Sequence, residues 1–265
     1  MPLICHLRRG KRSLLAAPRL VNRQAHQAPL EVNVMDLGIS EKVAPLLQRV
    51  RSFINEQVIP VEHEFVAEIE VDDPFVLTDR QTEIMGSLKT QAREAGLWNF
   101  FLTGEEGSGL NTVEYAYLAE EMGKSRLAAE VFNCSAPDTG NMEVLHKYGS
   151  EAQKKQWLEP LLAGEIRSCF GMTEPDVASS DATNICTTAT LEGDEWVING
   201  EKYYISGAGD PRCKVMITMV KTSPDAAPHR QQSQILVPID TPGVHILEGM
   251  EVFGENLGGE NKGKR

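Results

Sequence analysis

Cys169-Phe-Gly-Met-Thr-Glu-Pro-Asp-Val-Ala-Ser-Ser-Asp181 is the stretch on which the reading of this chain turns. It sets short hydroxyls, small residues and one proline-fixed bend directly after strand-like sequence, a composition suited to holding a polar ligand through backbone groups and short side chains. Thr173 and Ser180 supply short donors, and the N–H groups around Val177–Ser180 are candidates for an anion-accepting concavity. Glu174 and Asp181 read as structural, capping or pairing locally.

The stretch stands where the period of the sequence changes. Upstream, over 36–165, apolar residues recur at helical spacing. Val43, Leu46, Leu47, Val50, Phe53, Ile54 and Val58 form one stripe after Ser40, an N-cap type, and Pro60 is expected to end or kink that helix. A second helix is predicted from Asp79 to Ala95 with Gly96 as its stop, and Leu97–Leu102 reads as a short apolar strand or anchor. Asn111 or Thr112 opens a third helix. Two more follow around Ala128–Tyr148, broken near Pro137, and Glu151–Leu162, capped by Ser150.

Downstream of Ile166 the period is two. Strands are expected at Ser168–Thr173, Thr187–Leu191, Glu195–Ile198, Glu201–Ser206, Lys214–Thr222, Gln234–Ile239 and Val244–Leu247, with hairpin turns at Gly193 and at Asn199-Gly200. Helices first and strands second predict an α+β chain: an all-helical N-terminal domain over 36–165, then an antiparallel β-sheet or barrel domain over 166–250. Residues 251–265 read as a disordered or aberrant tail.

The second informative stretch, Trp196-Val-Ile-Asn-Gly-Glu-Lys-Tyr-Tyr-Ile-Ser-Gly207, lies about twenty residues on. On a strand, Tyr204 and Ser206 share a face, so one ligand can meet both. Ordinary strand packing explains Tyr203 and Tyr204 equally well.

Composition narrows the function classes. The 265 residues carry a net charge of −12, yet residues 1–30 hold Arg8, Arg9, Lys11, Arg12, Arg19 and Arg23 and no acid, leaving the remainder at −18. An acidic body of that size excludes nucleic acid as the expected partner, because a phosphate backbone demands Lys and Arg. The basic, acid-free head reads as a mitochondrial presequence or a disordered tail. A mitochondrial matrix location follows, with peroxisomal or cytoplasmic as alternatives. No apolar run approaches the roughly 20 residues of a membrane-spanning helix. The five cysteines, Cys5, Cys134, Cys169, Cys186 and Cys213, form no metal-ligand spacing.

Taken together, Phe170-Gly-Met-Thr-Glu-Pro with Ser180-Asp181 resembles the first signature of the acyl-CoA dehydrogenase family, and Ile198-Asn-Gly-x-Lys-x-x-Ile-Ser206 resembles the second. Lys147-Tyr-Gly-Ser-Glu through Trp157-Leu-x-Pro-Leu-Leu-Ala-Gly164 resembles the helix placed before them, and Met172–Asp181 with Asp210-Pro-Arg-Cys213 resembles the version in family members ten and eleven. The resemblance implies FAD. Phe170, Met172, Thr173 and Ser180 fall where the family lines the flavin, Ser180 also where it meets the acyl-CoA, and Tyr204, Ile205 and Ser206 fall on the second flavin segment. It departs from the pattern in one extra residue between Pro175 and Ser180, and in Tyr204 where many members have Trp.

The implied activity is that of an oxidoreductase of fatty acid β-oxidation, the α,β-dehydrogenation of a fatty acyl-CoA with electron-transfer flavoprotein as acceptor. The family draws its catalytic Glu from a C-terminal helical bundle, which is expected to be missing here. No catalytic residue is therefore assigned, and the chain is expected to be truncated and inactive alone. The alternatives are a non-catalytic module docking on full-length relatives as a homo- or hetero-oligomer, and an acyl-CoA oxidase-type flavoenzyme.

Overall fold

Val43, Leu47, Val50, Ile54 and Val58 are all buried, at spacings that bring them onto one helical face. The structure, a computed structural model, describes residues 5–8, 37–68, 75–247, 249 and 263–264. The basic head and the tail after 250 thus lie outside the described residues, apart from two short strands noted below. The first helix runs as Val43–Phe53 (α1), passes through a π-turn at Ile54–Val58, and continues as Ile59–Ala67 (α2). Pro60 does not end it. Proline lacks an N–H for the carbonyl four residues back and its ring crowds that carbonyl. The wider turn, in which the Ile59 N–H reaches the Ile54 carbonyl, makes room for both.

Helix α3 (Asp79–Glu94) opens on a reciprocal capping box between Thr78 and Gln81, and α4 (Thr112–Met122) on one between Asn111 and Glu114. Helices α5 (Ala128–Val131) and α6 (Asp138–Tyr148) follow, separated by the cis Ala136–Pro137 bond. The last helix repeats the device of the first. It is capped by Ser150 and runs as Glu151–Gln153 (α7), a π-turn at Lys154–Leu158, and Glu159–Leu162 (α8), with the wide turn just before Pro160. Leu97–Leu102 is not a strand. Asn99 adopts a left-handed φ of 56°, and buried Leu97, Phe100 and Phe101 plug the helical core. There Phe132 meets Phe53 and Phe100 at ring separations of 5.4 and 5.9 Å.

The second half is a curled sheet with mixed pairing. Its strands are β1 (Cys5–Arg8), β2 (Arg167–Gly171), β3 (Thr188–Glu192), β4 (Glu195–Asn199), β5 (Ile205–Ser206), β6 (Cys213–Lys221), β7 (Gln232–Pro238) and β8 (Gly263–Lys264). The six-stranded sheet has the order β1-β4-β3-β6-β2 with β7 on β6, and β5 pairs with β8 in a separate two-stranded sheet; the expected sheet or barrel domain is present, with parallel pairing where β2 and β3 meet β6. β2 runs parallel to β6, Phe170 opposite Ile217 and Gly171 opposite Thr218. β3–β4 and β6–β7 are antiparallel as expected.

Three strand expectations fail. Val244–Leu247 is irregular, Glu201–Ser206 shrinks to Ile205–Ser206, and Asn199-Gly200 forms no hairpin, since β4 and β5 are not partners. Gly200 serves close approach instead: a Cβ there would fall 2.4 Å from Thr187 Oγ1 and 2.7 Å from Thr187 Cα.

Sheet and helices share a core. Val215 on β6 is wholly buried in the helical cluster and Leu236 on β7 packs against it, while Ala189, Ile198, Val220 and Val237 form a separate cluster with Trp196. A charged seam joins the halves: Glu130, 3% exposed, takes Lys89, Arg167 and Arg212, each at 2.6 Å. No helix among the described residues is long and apolar enough to cross a membrane.

Candidate functional site

The chain leaves β2 at Gly171 and immediately enters the hydroxyl-rich stretch. Glu174 organises it. Its side chain is 5% exposed, and its carboxylate accepts hydrogen bonds from the Cys186 N–H (2.7 Å), the Thr187 N–H (2.9 Å) and Lys202 Nζ (2.8 Å). Burial pushes the Glu174 pKa up, but these donors outweigh it and hold the carboxyl below its usual range. Burial likewise draws the Lys202 pKa down, and the Glu174 carboxylate limits the fall. The Glu174 N–H donates to Ser179 Oγ at 2.8 Å, which folds the loop back on itself. Asp181 caps the short 3₁₀ turn Ala182–Asn184 by accepting from the Thr183 N–H and hydroxyl. The structural reading of Glu174 and Asp181 is the one the geometry gives.

The two informative stretches come together. Lys202 Nζ also donates to the Met172 carbonyl at 3.1 Å, and the Tyr203 N–H donates to the Thr173 carbonyl at 2.9 Å. One buried lysine thus ties 172–174 to 202–203 through both a carboxylate and a carbonyl. Tyr204 follows with a φ of 54° and 42% exposure, its ring edge-on to Tyr203 at 4.5 Å. The expectation that Tyr204 and Ser206 alternate on one strand face is therefore corrected: the left-handed residue lies outside the strand, and only Ile205–Ser206 is extended.

The sequence-derived residues fall in different settings. Thr173 and Ser180 are exposed, as is Tyr204, while Phe170, Met172 and Ser206 are half-buried. Ile205 is 4% exposed and packs with Cys169, Ala208 and Cys213, so its side chain belongs to the core. Of the two adjacent serines, Ser179 is buried and Ser180 is exposed. The supposed anion-accepting concavity is partly used internally, because the Ser179 and Asp181 N–H groups donate to the Val177 and Ala178 carbonyls.

Two features escaped sequence reasoning. Lys202 stands in the second signature, but its pairing with Glu174, 28 residues earlier, has no local signal. The other is a groove of about 460 Å³ on the sheet, lined by Thr188, Thr190, Trp196, Lys221, Thr222 and Ser223 among others. Among the described residues, no group of three or more His, Cys, Asp or Glu is placed to hold a metal.

Comparison with known families decides what this arrangement belongs to. Residues 40–165 match the N-terminal domain of acyl-CoA dehydrogenase, and residues 169–257 match its middle domain. The chain belongs to the acyl-CoA dehydrogenase family. It is 52% identical over 221 residues to the probable acyl-CoA dehydrogenase FadE2 of Mycobacterium tuberculosis, covering 83% of this chain and 53% of that protein. To acyl-CoA dehydrogenase family member 11 of Mus musculus it is 50% identical over 222 residues, 81% of this chain and 28% of that one.

The structure of a putative acyl-CoA dehydrogenase from Mycobacterium abscessus superposes with a TM-score of 0.80 at 48% identity, covering 86% of this chain and 57% of the other. A glutaryl-CoA dehydrogenase from Mycobacterium smegmatis, solved in complex with FADH2, gives 0.61 at 26% identity, covering 85% and 52%. The chain thus spans about half the length of FadE2 and about a quarter of family member 11.

Proposed function

We propose that this chain carries the flavin-facing wall of an FAD-dependent acyl-CoA dehydrogenase, whose reaction is the α,β-dehydrogenation of a fatty acyl thioester. The observation that carries the proposal is the junction made by Lys202 and Tyr203, which holds 172–174 against 202–203 and supports reading Met172, Thr173, Ser180, Tyr204 and Ser206 as one wall. The donor set suits a flavin. A flat ring system with a polar edge calls for aromatic or thioether groups against its face and hydroxyl or amide donors along its rim. Tyr204 and Met172 are of the first kind; Thr173, Ser180 and Ser206 are of the second.

Bound FAD would supply the acceptor for the β-hydride. The part of this chain's own residues is to bind, orient and shield. Lys202, its side chain 8% exposed, holds the Met172 carbonyl in place and keeps the loop closed. The groove with Thr188, Thr190, Thr222 and Ser223 offers hydroxyls, and Lys221 a cation, to the polar end of an acyl-CoA. Glu174 does not serve as the base for the α-proton: three donors occupy its buried carboxylate and stabilise the ionised form, which lowers its affinity for a proton. None of the motif residues in this chain is assigned that role.

We extend the proposal to electron-transfer flavoprotein as the electron acceptor, to association with longer relatives, and to a mitochondrial matrix location suggested by the acid-free head. Imaging the tagged chain with and without residues 1–30 tests the location, and signal outside mitochondria overturns it. The central test is a titration of the purified chain with FAD, followed by anaerobic addition of acyl-CoA thioesters. The expected result is a perturbed flavin spectrum that is lost in Tyr204→Ala. A flavin spectrum indistinguishable from free FAD at saturation refutes the proposal, and oxygen-dependent peroxide formation would favour an oxidase instead.

A further inference from the structure

Strand β2 ends the sheet path, paired with β6 along one edge. Its other edge would be a row of unpaired backbone groups, which proteins normally cover. Here side chains of α6 cover it. Asp138 Oδ1 accepts from the Ser168 N–H and from the Ser168 hydroxyl, both at 2.6 Å. One turn further along the helix, Asn141 Nδ2 donates to Ser168 Oγ at 2.9 Å and to the Cys169 carbonyl at 3.1 Å. Asp138, Asn141 and Ser168 are 3%, 2% and 1% exposed, so water does not compete for these bonds. Asp138 Oδ2 also accepts from Arg167 Nε, which anchors the residue before.

Two helical residues at i and i+3 thereby do for β2 what a neighbouring strand would do. The second stretch arrives at the same point. A Cβ on Gly207 would lie 3.5 Å from the Ser168 carbonyl, and β5 packs beside β2. Ser168 and Cys169 are therefore gripped between α6 and the segment after Ser206, and only two residues, Phe170 and Gly171, separate Cys169 from Met172. Extended chain advances about 3.3 Å per residue and has little slack over so short a distance. A shift of Ser168 is carried into Phe170, Met172 and Thr173.

We propose that Asp138 and Asn141 are positioning residues for the wall: through Ser168 they set where Phe170–Thr173 stands relative to Tyr204–Ser206. The helical half thus bears on the geometry of the site through these bonds. This rests on the flavin reading for its functional meaning, but the clamp itself can be read without flavin.

The test is amide hydrogen exchange on the flavin-free 265-residue chain carrying Asp138→Asn, Asn141→Leu or Ser168→Ala, the last being the mildest change. Exchange at residues 169–173 is expected to rise about tenfold in each, while the amides of α3 keep their wild-type protection. FAD added to the wild type should protect 169–173 and 203–206, and its affinity should fall in the variants in the order of their exchange. Unchanged exchange at 169–173 in all three variants overturns the proposal. So does an equal rise in α3, which would make these residues general core supports. If FAD protects neither stretch in the wild type, the flavin reading falls while the exchange data still decide the clamp.

Discussion

Replacing Lys202 by methionine removes one cation from a closed site and leaves the shape nearly intact. Its ammonium lies 2.8 Å from Glu174 Oε1 and 3.1 Å from the Met172 carbonyl, and the two side chains of the pair are 8% and 5% exposed. Taking one partner from a buried pair costs about 3–5 kcal/mol, because the other charge stays behind. Glu174 keeps the Cys186 and Thr187 N–H donors at 2.7 and 2.9 Å, so its carboxylate is not stranded and the lower end, about 3 kcal/mol, is expected.

At about 2–4 °C per kcal/mol for a chain of this size, the melting temperature should fall by roughly 6–12 °C. Urea unfolding followed by tryptophan fluorescence measures the free energy directly. Combining Lys202→Met with Glu174→Gln should cost less than the sum of the two single changes, with a coupling of about 1.5 kcal/mol or more. Additivity within about 0.5 kcal/mol would show that the pair is not the lock described here.

Other outcomes follow from single positions. Glu174 has a depressed carboxyl pKa in the folded chain, so its contribution is complete above its unfolded value of 4.5 and is lost as pH falls through the folded one; acid titration of Glu174→Gln should lack that limb. Tyr204→Gly, at a φ of 54°, should raise stability by about 0.5–1 kcal/mol while weakening the flavin response; calorimetry and FAD titration measure the two effects. Thr218 buries a hydroxyl without a hydrogen-bond partner, so Thr218→Val should stabilise by about 1 kcal/mol in urea unfolding. Glu130→Gln leaves Lys89, Arg167 and Arg212 without their shared carboxylate and should cost about 3–5 kcal/mol by the same measurement.

Local chemistry was legible in the sequence where it acts over a few residues. The stripe from Val43 to Val58, the caps at Asn111 and Ser150 and the turn at Gly193 each declare themselves within one or two turns of chain. Long-range pairing was not legible. The parallel register of β2 on β6 joins residues more than forty apart, and no local period encodes it. Asn199-Gly200 looked like a hairpin because glycine serves two ends, a permissive φ and close approach, and here the neighbour Thr187 decides in favour of the second. Pro60 looked like a stop because the π-turn that admits it has no sequence signature.

At the site, both hydroxyl-bearing stretches were visible, and so was the suggestion that they converge. The agent of convergence was hidden, because Lys202 finds Glu174 only in the folded chain. Burial also sorted the candidates in a way spacing could not, sending Ser179 and Ile205 inward and leaving Ser180 and Tyr204 at the surface.

Amide exchange of the 265-residue chain with and without FAD tests the central claim most directly. If the two stretches form one flavin-facing wall, FAD protects 170–181 and 203–207 together and leaves α3 unchanged. Protection of one stretch alone, or of neither at saturating FAD, would contradict it.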